Sequence, residues 1–224
     1  MHVQLRHCFL LTCLVLAAAC SESEIQLAFD EHAKANFASL PGTLGVSLAT
    51  RNEKWQYKVS KGTITTAESL PSAPKEATAI MVGSGGARML SKQAQFEYRG
   101  PYLLSPDGGR VSAAIVFANS YIYSPSSFVI ADVRNGSVIA ELKGESEKLI
   151  DGFAWSRDSE MVAVLKHARE SRFRPQNILA ALAGHPVASN AYYIEVFDTR
   201  GNLLASSKFA GGLEGSWGEI VWIN

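Results

Sequence analysis

The chain has 224 residues, 47% of them hydrophobic and 19% charged, and its 21 Lys and Arg balance 21 Asp and Glu. A charge so near zero excludes the broadly basic surface that nucleic acid requires, so no nucleic-acid partner is expected. Only one cysteine, Cys20, lies beyond residue 19, which excludes a disulfide framework and leaves apolar burial to hold the fold.

Residues 1–19 carry the three parts of a secretory signal: Arg6 with His2 and His7, an apolar run from Cys8 to Leu16, and small residues before Cys20. A membrane-spanning helix needs about 20 apolar residues, roughly twice this run, so the segment is expected to be removed. Ala17-Ala18-Ala19 fits an ordinary A-x-A cleavage site, while small residues directly before a cysteine resemble the lipobox of bacterial lipoproteins. Either cut discards Cys8 and Cys13 and leaves Cys20 as the sole thiol of the product. A lone thiol in an oxidising compartment has no disulfide to form, and thioether lipidation gives it a role. The resemblance implies diacylation at Cys20. Ser21 beside it implies sorting to the outer membrane, facing the periplasm; the alternative is a soluble secreted protein. Removing 19 of the 224 residues leaves 205, with a charge of −1 because Arg6 is the only charged residue lost. That length holds one domain with a real core, or two small ones.

Residues 20–42 read as a tether and lead-in. Ser21-Glu22-Ser23-Glu24 is polar, and Ile25, Ala28, Phe29, Ala33 and Phe37 recur at helical spacing before Pro41-Gly42 closes the segment. One amphipathic helix is expected there. From residue 43 the pattern changes to short β-prone runs between turns. Leu44–Ala49 and Trp55–Val59 read as a hairpin, with a third strand at Gly62–Thr66 and a Pro-, Ser- and Ala-rich break over Ser69–Lys75. Further strands are expected at Ala77–Val82, before Gly83-Ser84-Gly85-Gly86, and at Gln95–Tyr98.

The second half repeats itself. The segment from Tyr102 through Ser105-Pro106-Asp107-Gly108-Gly109 to Val111 aligns with that from Phe153 through Ser156-Arg157-Asp158-Ser159-Glu160 to Val162, 51 positions later. Each is followed by a second hairpin, Phe128–Leu142 around Arg134-Asn135-Gly136 and Tyr192–Ser206 around Asp198-Thr199-Arg200-Gly201. The glycines supply the positive φ such turns need. Glu219–Ile223 echoes Gly152–Ser156, as though a third unit begins. These residues resemble bacterial β-propeller repeats, with a Ser-Pro-Asp-Gly turn after the first strand of a blade and an Asp-x-x-Gly hairpin later in it. The resemblance covers about residues 100–224. It implies four-stranded blades that bury their faces only against one another. Two blades are clear, and the terminal strand would be an exposed apolar edge. Self-association through that strand is therefore expected, unless the edge is protected.

An insertion separates the two hairpins of the second unit. Lys166–Arg174 is locally basic, and Pro175–Gly184 reads as a short apolar helix with proline at its start. Insertions in repeat folds map to one face, often a binding face, so Arg169, Arg172 and Arg174 are the expected contacts for a protein partner or an anion. The alternative is a solvated loop capped by a packing helix.

Enzymatic patterns are weak. Ser72-Ala73-Pro74-Lys75 matches the Ser-x-x-Lys of penicillin-recognising serine hydrolases, and the Gly45–Leu48 strand resembles their opening strands. Pro74 opposes the helical turn that would bring Ser72 to Lys75, and neither Ser-Asp-Asn nor Lys-Thr-Gly follows. The Gly83–Gly86 turn has Arg88 where a dinucleotide fingerprint has its third glycine. Beyond residue 19 the histidines are His32, His167 and His185, and their spacing indicates no zinc site. Asp107, Asp132, Asp158 and Asp198 fall at turns, where bonds to backbone explain them. Trp155 and Trp222 occupy matching core positions, whereas Trp55, Tyr57 and Trp217 are candidates for exposure.

The expected molecule is thus a mainly β, antiparallel meander of partial or propeller-like repeats, with one N-terminal and one short inserted helix. The signal spans 1–19, the lipid-anchored tether 20–42 and the repeat domain 43–224. Its expected role is that of a cell-envelope binding or assembly module needing no cofactor, catalytic residue or metal. The alternative is an envelope hydrolase with a loop-formed site at Ser72 and Lys75.

Overall fold

The computed structural model describes residues 36–49, 54–72, 96–117, 127–142, 148–169, 190–209 and 217–223. They form β1 (Thr43–Ala49), β2 (Lys54–Ser60), β3 (Thr63–Thr66), β4 (Phe96–Leu104), β5 (Arg110–Phe117), β6 (Ser127–Asp132) and β7 (Val138–Leu142). There follow β8 (Lys148–Trp155), β9 (Met161–Arg169), β10 (Asn190–Asp198), β11 (Leu203–Phe209) and β12 (Trp217–Ile223). Three four-stranded antiparallel sheets result, ordered β12-β1-β2-β3, β4-β5-β6-β7 and β8-β9-β10-β11. The fold is mainly β and propeller-like, as the sequence leads one to expect. Of the 24–40 helix residues 36–40 are described, Asn36–Ala38 helical and Ser39–Leu40 already turning out of it; residues 24–35, the inserted helix and the strand at Ala77–Val82 lie outside the described residues.

The two Ser-x-Asp turns are built alike. Ser105 Oγ donates to Asp107 Oδ1 at 2.5 Å and accepts from Arg110 N at 2.9 Å, while Asp107 Oδ1 accepts from Gly109 N at 3.0 Å. At the second turn Ser156 Oγ donates to Asp158 Oδ1 at 2.6 Å and accepts from Met161 N at 2.9 Å, and Asp158 Oδ1 accepts from Glu160 N at 3.1 Å. The turns also touch each other. Asp107 N donates to Ser159 Oγ at 3.1 Å and Arg110 Nη1 to Ser159 O at 2.8 Å. Ser159 holds φ at +64° where the first repeat has Gly108 at +70°. Its hydroxyl makes a bond between sheets that glycine has no atom to make.

Register decides which residues meet. In β1, Leu44, Val46 and Leu48 face the core and Gly45 and Ser47 the opposite side, the period-2 alternation of a strand, and all five are buried. In β9 the buried run Met161-Val162-Ala163-Val164-Leu165 is apolar on both faces. A sheet flanked on both faces produces such a run. The β8 sheet lies between the other two. Ala163, Leu165, Ile194 and Val196 pack with Val46, Leu48 and Ile220 of the β1 sheet, and Phe153, Val162 and Val164 with Phe128 and Ile130 of the β4 sheet. Burying each of these leucine, isoleucine, valine and phenylalanine side chains stabilises by about 1.5–3 kcal/mol. Trp155 ties the second core together, its Nε1 donating to Leu103 O at 3.1 Å and Ser112 Oγ at 3.2 Å. Tyr57 is buried in the first core and Trp55 packs against it. Exposure was wrong for Tyr57 because its place on β2 turns it inward.

The Glu219–Ile223 echo does open a third four-stranded unit, whose other three strands precede it in the chain. β12 pairs along its length with β1, from Thr43↔Ile223 to Ala49↔Trp217. It occupies the place in the β1 sheet that β4 and β8 hold in theirs, so the sheet takes three strands from one end of the chain and one from the other.

Candidate functional site

The antiparallel pairings sort the connections by end. Turns 61–62, 105–109, 133–137, 156–160 and 199–202 share one end, and residues 118–126, 170–189 and 210–216 join strands at the other. Arg169 pairs with Asn190, so the inserted residues 170–189 leave and rejoin the β8 sheet at a single point. Of the expected contacts, Arg169 is the last residue of β9. Arg172 and Arg174 lie outside the described residues, as do Cys20, Lys75, His32 and His185.

Two further cations stand at this end of the β8 sheet. Lys148 Nζ lies 4.4 Å from the Tyr193 ring centroid and Lys208 Nζ 6.0 Å from it, within cation–π range. Beside them Lys166 is buried and bonded to the Glu195 carboxylate, over the Phe197 ring. That pair stays buried only because each charge meets the other.

On the opposite face of the same sheet, toward β12, is a second pair. His167 Nδ1 and Asp151 Oδ1 are 2.8 Å apart, and their side chains are 19% and 11% exposed. Asp151 is the bulged residue of β8: pairing runs Ile150↔Lys166, then Gly152↔Leu165. The bulge aims its carboxylate at β12, a common use of this irregularity. There Gly218 makes room, since a Cβ on it would lie 2.5 Å from Leu165 Cδ2 and 3.3 Å from Asp151 Oδ2. Asp151 Oδ2 is buried without a hydrogen-bond partner. Burial raises the Asp151 carboxyl above its ordinary range, and the His167 contact opposes this. Such a couple fixes the imidazole ring and holds a proton between its partners. Sequence reasoning placed His167 in a basic stretch and did not single out Asp151, because only the bulge brings the two together.

Ser72 is exposed and lines a cavity with Ser47, Lys54, Gln56 and Glu219, on the face of the β1 sheet away from the core. No histidine among the described residues lines it. Among the described residues no three metal-ligating side chains meet, and no helix is long and apolar enough to cross a membrane. Set against family models and curated proteins, the sequence matches none.

Proposed function

We propose that this protein is a cell-envelope lipoprotein, anchored through a lipid on Cys20, that binds a partner with an anionic surface through the end of the β8 sheet bearing residues 170–189. One observation carries the binding reading: the inserted basic segment springs from a single rung, Arg169↔Asn190, at the end where Lys148 and Lys208 flank Tyr193. Positive charge steers an anionic partner, and Arg169, Lys148 and Lys208 all lie at this end. The tight turns of the other end have their aspartates committed to backbone N–H groups.

The test is photo-crosslinking in cells. A crosslinking residue at Arg172 is expected to trap a partner that one at Asn135, on the turn end, does not. Reversing the charge of Arg169, Arg172 and Arg174 together is expected to abolish the adduct. The same adducts from both sites, or an adduct indifferent to the charges, would overturn the reading. Palmitate labelling checks the anchor: the wild type takes up label and Cys20→Ala does not, whereas an unlabelled wild type removes the lipid from the proposal.

A further inference from the structure

The cavity on the outer face of the β1 sheet lies apart from the connection end and has a composition of its own. Its volume is about 320 Å³ and its lining includes Ser47, Lys54, Gln56, Leu70, Ser72 and Glu219. Register explains the shape. Glu219, Ser47 and Gln56 stand side by side across β12, β1 and β2. Gly45, one step along on the same face, leaves room for the chain crossing above: a Cβ there would lie 3.0 Å from Leu70 Cδ2 and 2.8 Å from Val221 Cγ2. The floor is therefore low and the flanks high.

Three chemical facts point to an occupant. Ser47 is only 6% exposed yet makes no hydrogen bond with a described residue, and it lines the cavity. Its hydroxyl opens onto the cavity, where it can both donate and accept. Glu219 and Lys54 are exposed, stand on opposite flanks, and have no ion-pair partner among the described residues. Between them β1 intervenes, so their backbones stand two strand spacings, roughly 10 Å, apart. Leu70, Pro71 and Val221 supply an apolar wall.

We propose that this cavity binds a small zwitterion, an amino acid or dipeptide. Glu219 receives its ammonium group, Lys54 its carboxylate, Ser47 and Gln56 hydrogen-bond between the two, and Leu70 and Val221 cover a short apolar side chain. A volume near the lower limit of ligand sites, about 300 Å³, suits a molecule of that size. A neutral polyol would leave both charges unanswered, and a lone anion or cation would meet one like charge.

The experiment is calorimetric titration of the full chain with alanyl-alanine, with its N-acetylated, C-amidated counterpart, and with glucose. Alanyl-alanine is expected to bind, and the two neutral probes to bind at least tenfold more weakly. Glu219→Gln and Lys54→Met are each expected to weaken binding by tenfold or more. Ser47→Val, which keeps a strand-compatible shape while removing the hydroxyl, is expected to abolish it. Unchanged thermal midpoints of the three variants show that the fold persists. Equal binding of the capped peptide, indifference to both charge substitutions in folded protein, or no heat with alanyl-alanine at about 10 mM, where even weak sites fill, would overturn the proposal.

Discussion

Asp151 concentrates the electrostatic tension of the molecule in one side chain. It is largely buried, has one oxygen on His167 and leaves the other without a partner. Its folded-state pKa is raised, first by burial, so its contribution to stability is full below the ordinary carboxylate range and is lost as pH rises through the raised value. Asp107 and Asp158 behave oppositely. The Ser105 and Ser156 hydroxyls, then the Gly109 and Glu160 N–H groups, hold them below the ordinary range, so their contribution is present at neutral pH and disappears in acid. Asp151→Asn removes the group that loses stability on the rising limb and keeps a similar shape. The melting midpoint of the variant, relative to the wild type, should therefore climb as pH rises from about 4 toward neutrality. Two midpoint curves that stay parallel over that window would show that the raised carboxyl does not govern stability there.

Among the elements, β12 carries the topology. It covers the Leu44–Val46–Leu48 face through Ile220, and its loss would leave β1 with an open ladder and the first core exposed. An uncovered strand beside apolar surface invites pairing with other copies. A chain ending at residue 216 should accordingly aggregate or fail to accumulate, whereas one lacking only Asn224 should behave as the wild type. Light scattering separates the outcomes, and a well-folded monomer from the shorter chain would contradict the assigned role of β12. The same element marks the limit of what the sequence reveals. Ser-x-Asp turns are legible because a hydroxyl, a carboxylate and neighbouring backbone N–H groups close over a few residues. Strands in the repeat are legible as short β-prone runs between turn residues. The echo of Gly152–Ser156 in Glu219–Ile223 is visible as well, but its destination is not, since pairing with β1 is a contact between opposite ends of the chain. The two candidate sites share this difficulty. Asp151 meets His167 through a bulge that no residue type announces, and Glu219 meets Ser47 only once β12 is in place.

For the whole molecule, the decisive arrangement is one sheet serving two cores. β9 alternates its allegiance residue by residue: Val162 and Val164 join the core shared with the β4 sheet, Ala163 and Leu165 the core shared with the β1 sheet. Neither core can dissolve without uncovering a face of the same strand, so the described sheets should unfold together rather than one by one. Leu48→Ala opens a cavity in the first core and Phe128→Ala one in the second; both side chains are almost fully buried. Such changes cost about 2–5 kcal/mol each. Both should lower the midpoint of one shared transition, seen alike by far-ultraviolet dichroism and by tryptophan fluorescence, in which Trp155 reports on the second core and Trp222 on the first. If Phe128→Ala instead splits the curve, with the Trp155 environment lost while the β1 sheet persists, the β8 sheet couples its neighbours too weakly to make them one folding unit.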